Sequence, residues 1–189
     1  MNKVLVPGIL GGVVIFVWSF ISWVVIPWHA AVMNNIPSGE QVAEILKNDG
    51  LEAGFYHHPG MPEEQDENSQ KAWTERYMKG PNINFMIYSP VGGAPMDPMQ
   101  FVRSLFLNIL SAMLASYMLL QALGSLNGLM QRALFVTAMG VFVALVYPMA
   151  EWNWWNFPGD FTAVAVFDTI ITWFLAGLVI AWRIKPETA

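Results

Sequence analysis

The stretch VLVPGILGGVVIFVWSFISWVVIPW, residues 4–28, contains no charged side chain. A bilayer hydrocarbon core about 30 Å thick is crossed by about 20 helical residues, so this run is long enough to span one. A cleaved signal peptide would have an apolar region of only about 7–15 residues ending at a small-residue site. The run is longer than that, and the IPWHAAV that follows offers no such site. The expectation is an uncleaved first transmembrane helix.

Three further apolar stretches follow, at residues 101–124, 133–150 and 161–182. Asp97 and Pro98 supply an N-cap and a first-turn proline for the second, and Gly124 a stop. The linkers SLNGLMQ and EWNWWNFPGD are short, which makes helices two, three and four expected antiparallel neighbours. The fold class read from this pattern is a membrane all-α four-helix bundle with a small inserted α/β extramembrane domain between helices 1 and 2, at residues 29–100.

Composition agrees with the membrane class. Hydrophobic residues make up 55% of the chain and charged residues 12%, and the net charge is -5. The absence of cysteine excludes disulfides, thiolate metal sites and thiol nucleophiles. No basic stripe exists to neutralise a phosphate backbone, so nucleic acid is not an expected partner. Lys3, Arg132, Arg183 and Lys185 fall on one side of the alternating spans, while the linker after span three has no cation. Positive charge is retained on the cytoplasmic side, which predicts a multi-pass protein of the bacterial inner membrane with both termini cytoplasmic and the inserted domain periplasmic.

Within the inserted domain, Ser38 and Gln41 form a capping-box pattern ahead of an amphipathic helix closed by Gly50. AGFYHHP reads as a strand, the segment ending in KAWTERYMKG as a helix with Trp73 and Tyr77 on one side, and INFMIYSP as a second strand. The order is helix, strand, helix, strand. Two strands joined through a helix are expected to run parallel. A two-stranded sheet is marginal alone, so it is expected either to pack on the membrane surface or to pair edge to edge with another copy, the second being the reading adopted.

Small residues recur four apart in every span: Gly8 and Gly12, Ser111 and Ala115, Gly140 and Ala144, Gly177 and Ala181. Such pairs allow helix backbones to approach closely where lipid removes the hydrophobic driving force. Asp168 is the single carboxylate well inside a span, about 10 Å along the fourth helix at about 1.5 Å per residue. An intramembrane carboxylate needs a partner or a proton. Counting depth along straight helices places Arg103 and Asn108 at a similar level, so an Asp168–Arg103 pair assisted by Asn108 or Thr172 is expected. The functional alternative makes Asp168 a proton or cation site, but the cytoplasmic half of the spans offers only Ser116, Tyr117 and Gln121 as further polar groups.

His29, His57 and His58 all lie on the outer side, where Glu151, Asp160 and residues 63–67 add carboxylates. Their spacing matches no metal motif, and adjacent residues on a strand point to opposite faces, so no metal is predicted. Trp23, Trp28, Trp152, Trp154 and Trp155 are placed as an interfacial aromatic belt. Trp18 is deeper and expected to pack inside. No catalytic arrangement is present: the glycine-rich GILGG and PVGGAP lack the flanking residues of a phosphate loop. No cofactor is predicted, although bound lipid is compatible with the spans.

The block GGVVIFVWSFISWVVIPWH, with the capped helix and AGFYHHP that follow, resembles an uncharacterised bacterial family of small four-helix inner-membrane proteins. The matching positions are Gly11, Gly12, Trp18, Trp23, Pro27, Trp28 and His29, covering about the first third of the chain. The resemblance implies an inner-membrane location and carries no activity. The functional expectation is a non-catalytic, self-associating scaffold or accessory subunit of a larger membrane complex, with the lipid bilayer and a homo-oligomer or complex partner as its surroundings. The alternatives are an ion- or proton-coupled channel or carrier with an outer-leaflet site near Asp168, and a lipid- or quinone-handling protein at the outer surface.

Overall fold

A computed structural model describes residues 2–186. The chain divides into two compact units, Met1–Asn34 with Pro95–Ala189, and Asn35–Ala94. Among the described residues the first holds helices and no strand, with four helical stretches long and apolar enough to cross a membrane, Lys3–Val25, Pro98–Ser125, Leu129–Trp155 and Gly159–Arg183. At most 33% of each span's most apolar window is buried inside the protein. The remaining apolar surface far exceeds what a water-facing monomer presents.

α1 (Asn2–Phe20) continues into a π-helical turn (Ile21–Val25), after which α2 (Trp28–Ala31) begins. The break is written in the sequence. Pro27 lacks an N–H and disfavours helical geometry in the residue before it, and Ile26 is extended at φ -87° and ψ 123°. α5 (Pro98–Ala122) starts as expected, with the Asp97 carboxylate accepting from Met99 N–H at 2.9 Å and Pro98 in the first turn. α6 (Leu129–Val146), α7 (Pro148–Trp155) and α8 (Gly159–Arg183) complete the unit, and α7 ends at Asn156 in the left-handed conformation.

Of the three helices expected as neighbours from their short loops, α6 and α8 pack together and α5 stands apart from both. α1 packs along α5 and α8, and α8 packs along α6, while α5 makes few contacts with α6 or α8. α1 is therefore wedged between helices that are distant in sequence. Glycines explain the preference: a Cβ on Gly12 would lie 2.5 Å from Ile109 Cα, and one on Gly140 would lie 2.5 Å from Trp173 Cβ. A Cβ on Gly177 would lie 2.8 Å from the Ala133 carbonyl oxygen. Gly8 and Gly12 thus seat α5 on α1, and Gly140 and Gly177 seat α6 on α8. Ala115, Ala144 and Ala181 are buried, but Ser111 is exposed, and Ala112 takes the buried position beside it. The core is made of Ile15, Ala112, Leu119, Val136, Ala176 and Ile180 with their neighbours.

The second unit holds α3 (Gly39–Asn48), β1 (Gly54–His58), α4 (Glu67–Lys79) and β2 (Ile83–Tyr88), in the expected order. The strands pair antiparallel, not parallel, with Phe55 opposite Ile87 and Tyr56 opposite Met86. The reason lies in the connection. Residues 59–66, which extended reach up to about 27 Å, can carry the chain back along the strand before α4 returns it. Two traversals restore the starting end, so β2 must run opposite to β1. Ser38 occupies the N-cap of α3 without a side-chain capping bond, so the capping box does not form there. Gly50 closes α3 at φ +73°, a conformation a side chain would resist. Asp66 is the working cap of this unit: its carboxylate accepts from Asn68 and Ser69 N–H and from the Ser69 hydroxyl. Those bonds hold its pKa below the ordinary carboxylate value, the Ser69 hydroxyl contributing most.

Candidate functional site

The π-helical turn and Pro27 reverse the chain at the end of α1, so that α2 lays His29 back over Ser22. Both side chains are buried. The His29 ring stacks on Trp23, with centroids 3.8 Å apart and planes 7° from parallel, and meets Trp28 edge to face. Trp28 donates its indole N–H to the Ser22 carbonyl at 3.0 Å and to the Ser22 hydroxyl oxygen at 3.1 Å. π-Helical turns inside α-helices frequently mark functional positions.

Asp168, on α8, closes this cluster. Trp18 donates its indole N–H to Asp168 Oδ1 at 2.7 Å, and His29 Nε2 lies 3.2 Å from Asp168 Oδ2. The side chains of His29 and Asp168 are 5% and 14% exposed. The cluster joins α1, α2 and α8 through polar bonds.

This pairing corrects the expected one. Both Asp168 oxygens are taken by Trp18 and His29, whereas Arg103 is exposed on α5. The Asn108 amide nitrogen is buried without a hydrogen-bond partner. Depth counted along straight helices missed the partner because the π turn and Pro27 return His29 toward α8. Of the tryptophans expected in an interfacial belt, Trp28 bonds within the cluster, while Trp23, Trp152, Trp154 and Trp155 are exposed. Trp18 does pack inward, and its indole N–H has a polar destination that the sequence did not reveal.

The arrangement resembles a serine, histidine and aspartate triad in composition only. In a triad the serine and the carboxylate engage opposite ring nitrogens. Here Ser22 Oγ, at 3.1 Å, and Asp168 Oδ2 both approach Nε2. A proton on Nε2 that serves Asp168 cannot leave that nitrogen free to activate Ser22, whose oxygen already accepts from Trp28. The cluster is a set of donors converging on one carboxylate.

Family models, curated proteins and solved structures give no match to this chain. The site therefore rests on its own geometry. His57 and His58 are in the other unit: His57 Nδ1 lies 3.2 Å from the Pro59 carbonyl oxygen, and Arg76 Nη2 lies 2.8 Å from His58 Nε2. Among the described residues no three histidine or carboxylate side chains come together as a metal site.

At the other end of the helical unit, Arg132 is buried and its guanidinium donates to the carbonyls of Ala181, Leu126 and Asn127 at 3.3, 3.3 and 2.7 Å. It satisfies a carbonyl in the last turn of α8, where a cation also complements the helix dipole. Lys3, Arg183 and Lys185 line one cavity at this same end.

Proposed function

We propose that the chain is a multi-pass protein of a bacterial inner membrane that acts as a non-catalytic, self-associating scaffold or accessory subunit. The four long apolar helices and their largely unburied surfaces support membrane insertion. The gathering of Lys3, Arg132, Arg183 and Lys185 at one end supports a cytoplasmic location for that end and a periplasmic one for the inserted unit.

The observation that carries the self-association reading is the two-stranded sheet, which has no third strand among the described residues. Each strand keeps one edge without a strand partner, and two-stranded sheets are marginal unless completed. Ile87 on β2 is 74% exposed, beside Ile83 on the same face. Two copies meeting along the same edge form a self-complementary, closed arrangement. The Asp168 cluster fits a scaffold too, because its carboxylate is matched by donors of its own chain.

Because the chain has no cysteine, single cysteines report on proximity without background. Ile87→Cys is expected to form a disulfide-linked dimer in native membranes, and Glu75→Cys on α4 is not. Equal linkage at both positions, or at neither, overturns self-association through the sheet.

A second reading is favoured by the 3.2 Å approach of His29 Nε2 to Asp168 Oδ2: a proton-responsive membrane protein, with that couple as the binding group. No carboxylate or histidine lies deeper in the spans toward the Lys3 end, which supports a single proton site over a translocation path. Proton flux in liposomes that disappears in Asp168→Asn would raise this reading above the scaffold.

A further inference from the structure

A cavity of about 560 Å³ opens where α1 begins and α5 and α8 end. Lys3, Arg183 and Lys185, at the helix ends, line it together with the apolar Pro7, Leu120 and Ile184. Among the described residues no carboxylate lines it. The volume falls in the range of small-ligand sites, roughly 300–1,000 Å³. Cations together with an apolar lining match a molecule that is anionic at one end and apolar at the other.

The surrounding helix ends reinforce this polarity. α1 starts at this end, and a helix amino terminus presents unpaired N–H groups and a positive pole. The opposing pole at the carboxyl end of α8 is offset by the buried Arg132, which bonds the Ala181 carbonyl. Basic pockets between transmembrane helices on the cytoplasmic side are suited to anionic lipid head groups.

We propose that this cavity is a binding site for an anionic phospholipid, with the phosphate at Arg183, Lys185 and Lys3 and an acyl chain along Pro7 and Leu120. The inference rests on the membrane reading above but not on self-association. A free phosphate shares the head-group chemistry but would leave the apolar wall without a purpose.

The test uses the full chain in nanodiscs of equimolar phosphatidylglycerol and phosphatidylcholine, with co-released lipid measured by native mass spectrometry. The protein is expected to retain phosphatidylglycerol with at least about five-fold preference, and the double variant Arg183→Gln, Lys185→Gln to fall toward parity. The control pair Lys47→Gln, Lys71→Gln in the other unit should keep the preference. Parity in the unaltered protein, or equal loss in the control pair, overturns the site. Loss of the preference on adding millimolar inorganic phosphate overturns the lipid assignment in favour of a free anion. Resistance to alkaline carbonate extraction reports insertion separately. A chain that is extracted overturns the membrane reading together with this one, whereas a resistant chain showing parity overturns this one alone.

Discussion

Replacing Asp168 by alanine removes the acceptor of two donors at once. Trp18 Nε1–H loses a 2.7 Å bond, and His29 Nε2 loses its 3.2 Å partner. A buried donor left unsatisfied costs about 1–3 kcal/mol. His29 is almost fully buried, but Trp18 is only partly so, and side chains unfolded within a bilayer find other partners, which lowers interhelical hydrogen bonds to an average of about 0.6 kcal/mol. The expected loss for Asp168→Ala is therefore about 1–4 kcal/mol, below the roughly 2–6 kcal/mol of two fully buried donors. Asp168→Asn keeps an oxygen for Trp18, and His29 accepts from the new amide once its proton moves to Nδ1, so that variant should lose only about 1 kcal/mol. Arg103→Gln, at an exposed position that does not bond Asp168, should stay within about 0.5 kcal/mol of the parent. Reversible unfolding in bicelles measures all three, and a double-mutant cycle with His29→Ala should give a coupling of about 1–2 kcal/mol. An Asp168→Ala protein as stable as the parent, or an Arg103→Gln loss equal to it, refutes the assigned cluster.

Further outcomes follow from particular contacts. Gly12→Ala should lower stability by about 1–3 kcal/mol, because the added Cβ meets the Ile109 backbone, which cannot yield without separating α1 from α5. Gly11→Ala should cost less, since its Cβ would meet side-chain atoms, Ile180 Cδ1 and Cγ1 at 2.9 Å and Ala112 Cβ at 3.1 Å, and no backbone atom as close as Ile109 Cα is to Gly12. The order of the two losses, read by thermal unfolding in detergent, checks the packing. Arg132→Gln should leave carbonyls of Leu126, Asn127 and Ala181 short of donors and cost about 1–3 kcal/mol in the same assay. Asp66 has a depressed pKa in the folded unit, so its capping contribution is fully present above the ordinary carboxylate pKa and is lost as pH falls through the lowered value. After correction for intrinsic exchange rates, amide exchange at Asn68 and Ser69 should accelerate on that acid side, and unchanged protection there would contradict the cap.

The four helical stretches were legible because charge-free runs of spanning length have few other physical explanations, and the proline and aspartate at residues 97 and 98 marked a true helix start. Loop length marked α6 and α8 as neighbours but misplaced α5. Close approach at Gly8 and Gly12 outweighed connectivity there, and the glycines were visible while their opposite surfaces were not. The strand order was readable, but its direction depended on whether residues 59–66 traverse the sheet, which no periodicity records. For the site, Asp168 stood out by its chemistry. Its partners did not, because a π turn shifts the phase of the helix by one residue and Pro27 then reverses the chain. The signal that was present lay in residues 18–29, where tryptophan, serine and histidine gather around a proline at the end of a span.

Self-association of the proposed membrane scaffold is read from the mass of the particle excised from native membranes with its surrounding lipid. At least two copies per particle are expected, reduced to one by Ile87→Glu with the helical content retained. A particle holding a single copy and no other protein at every concentration would contradict it.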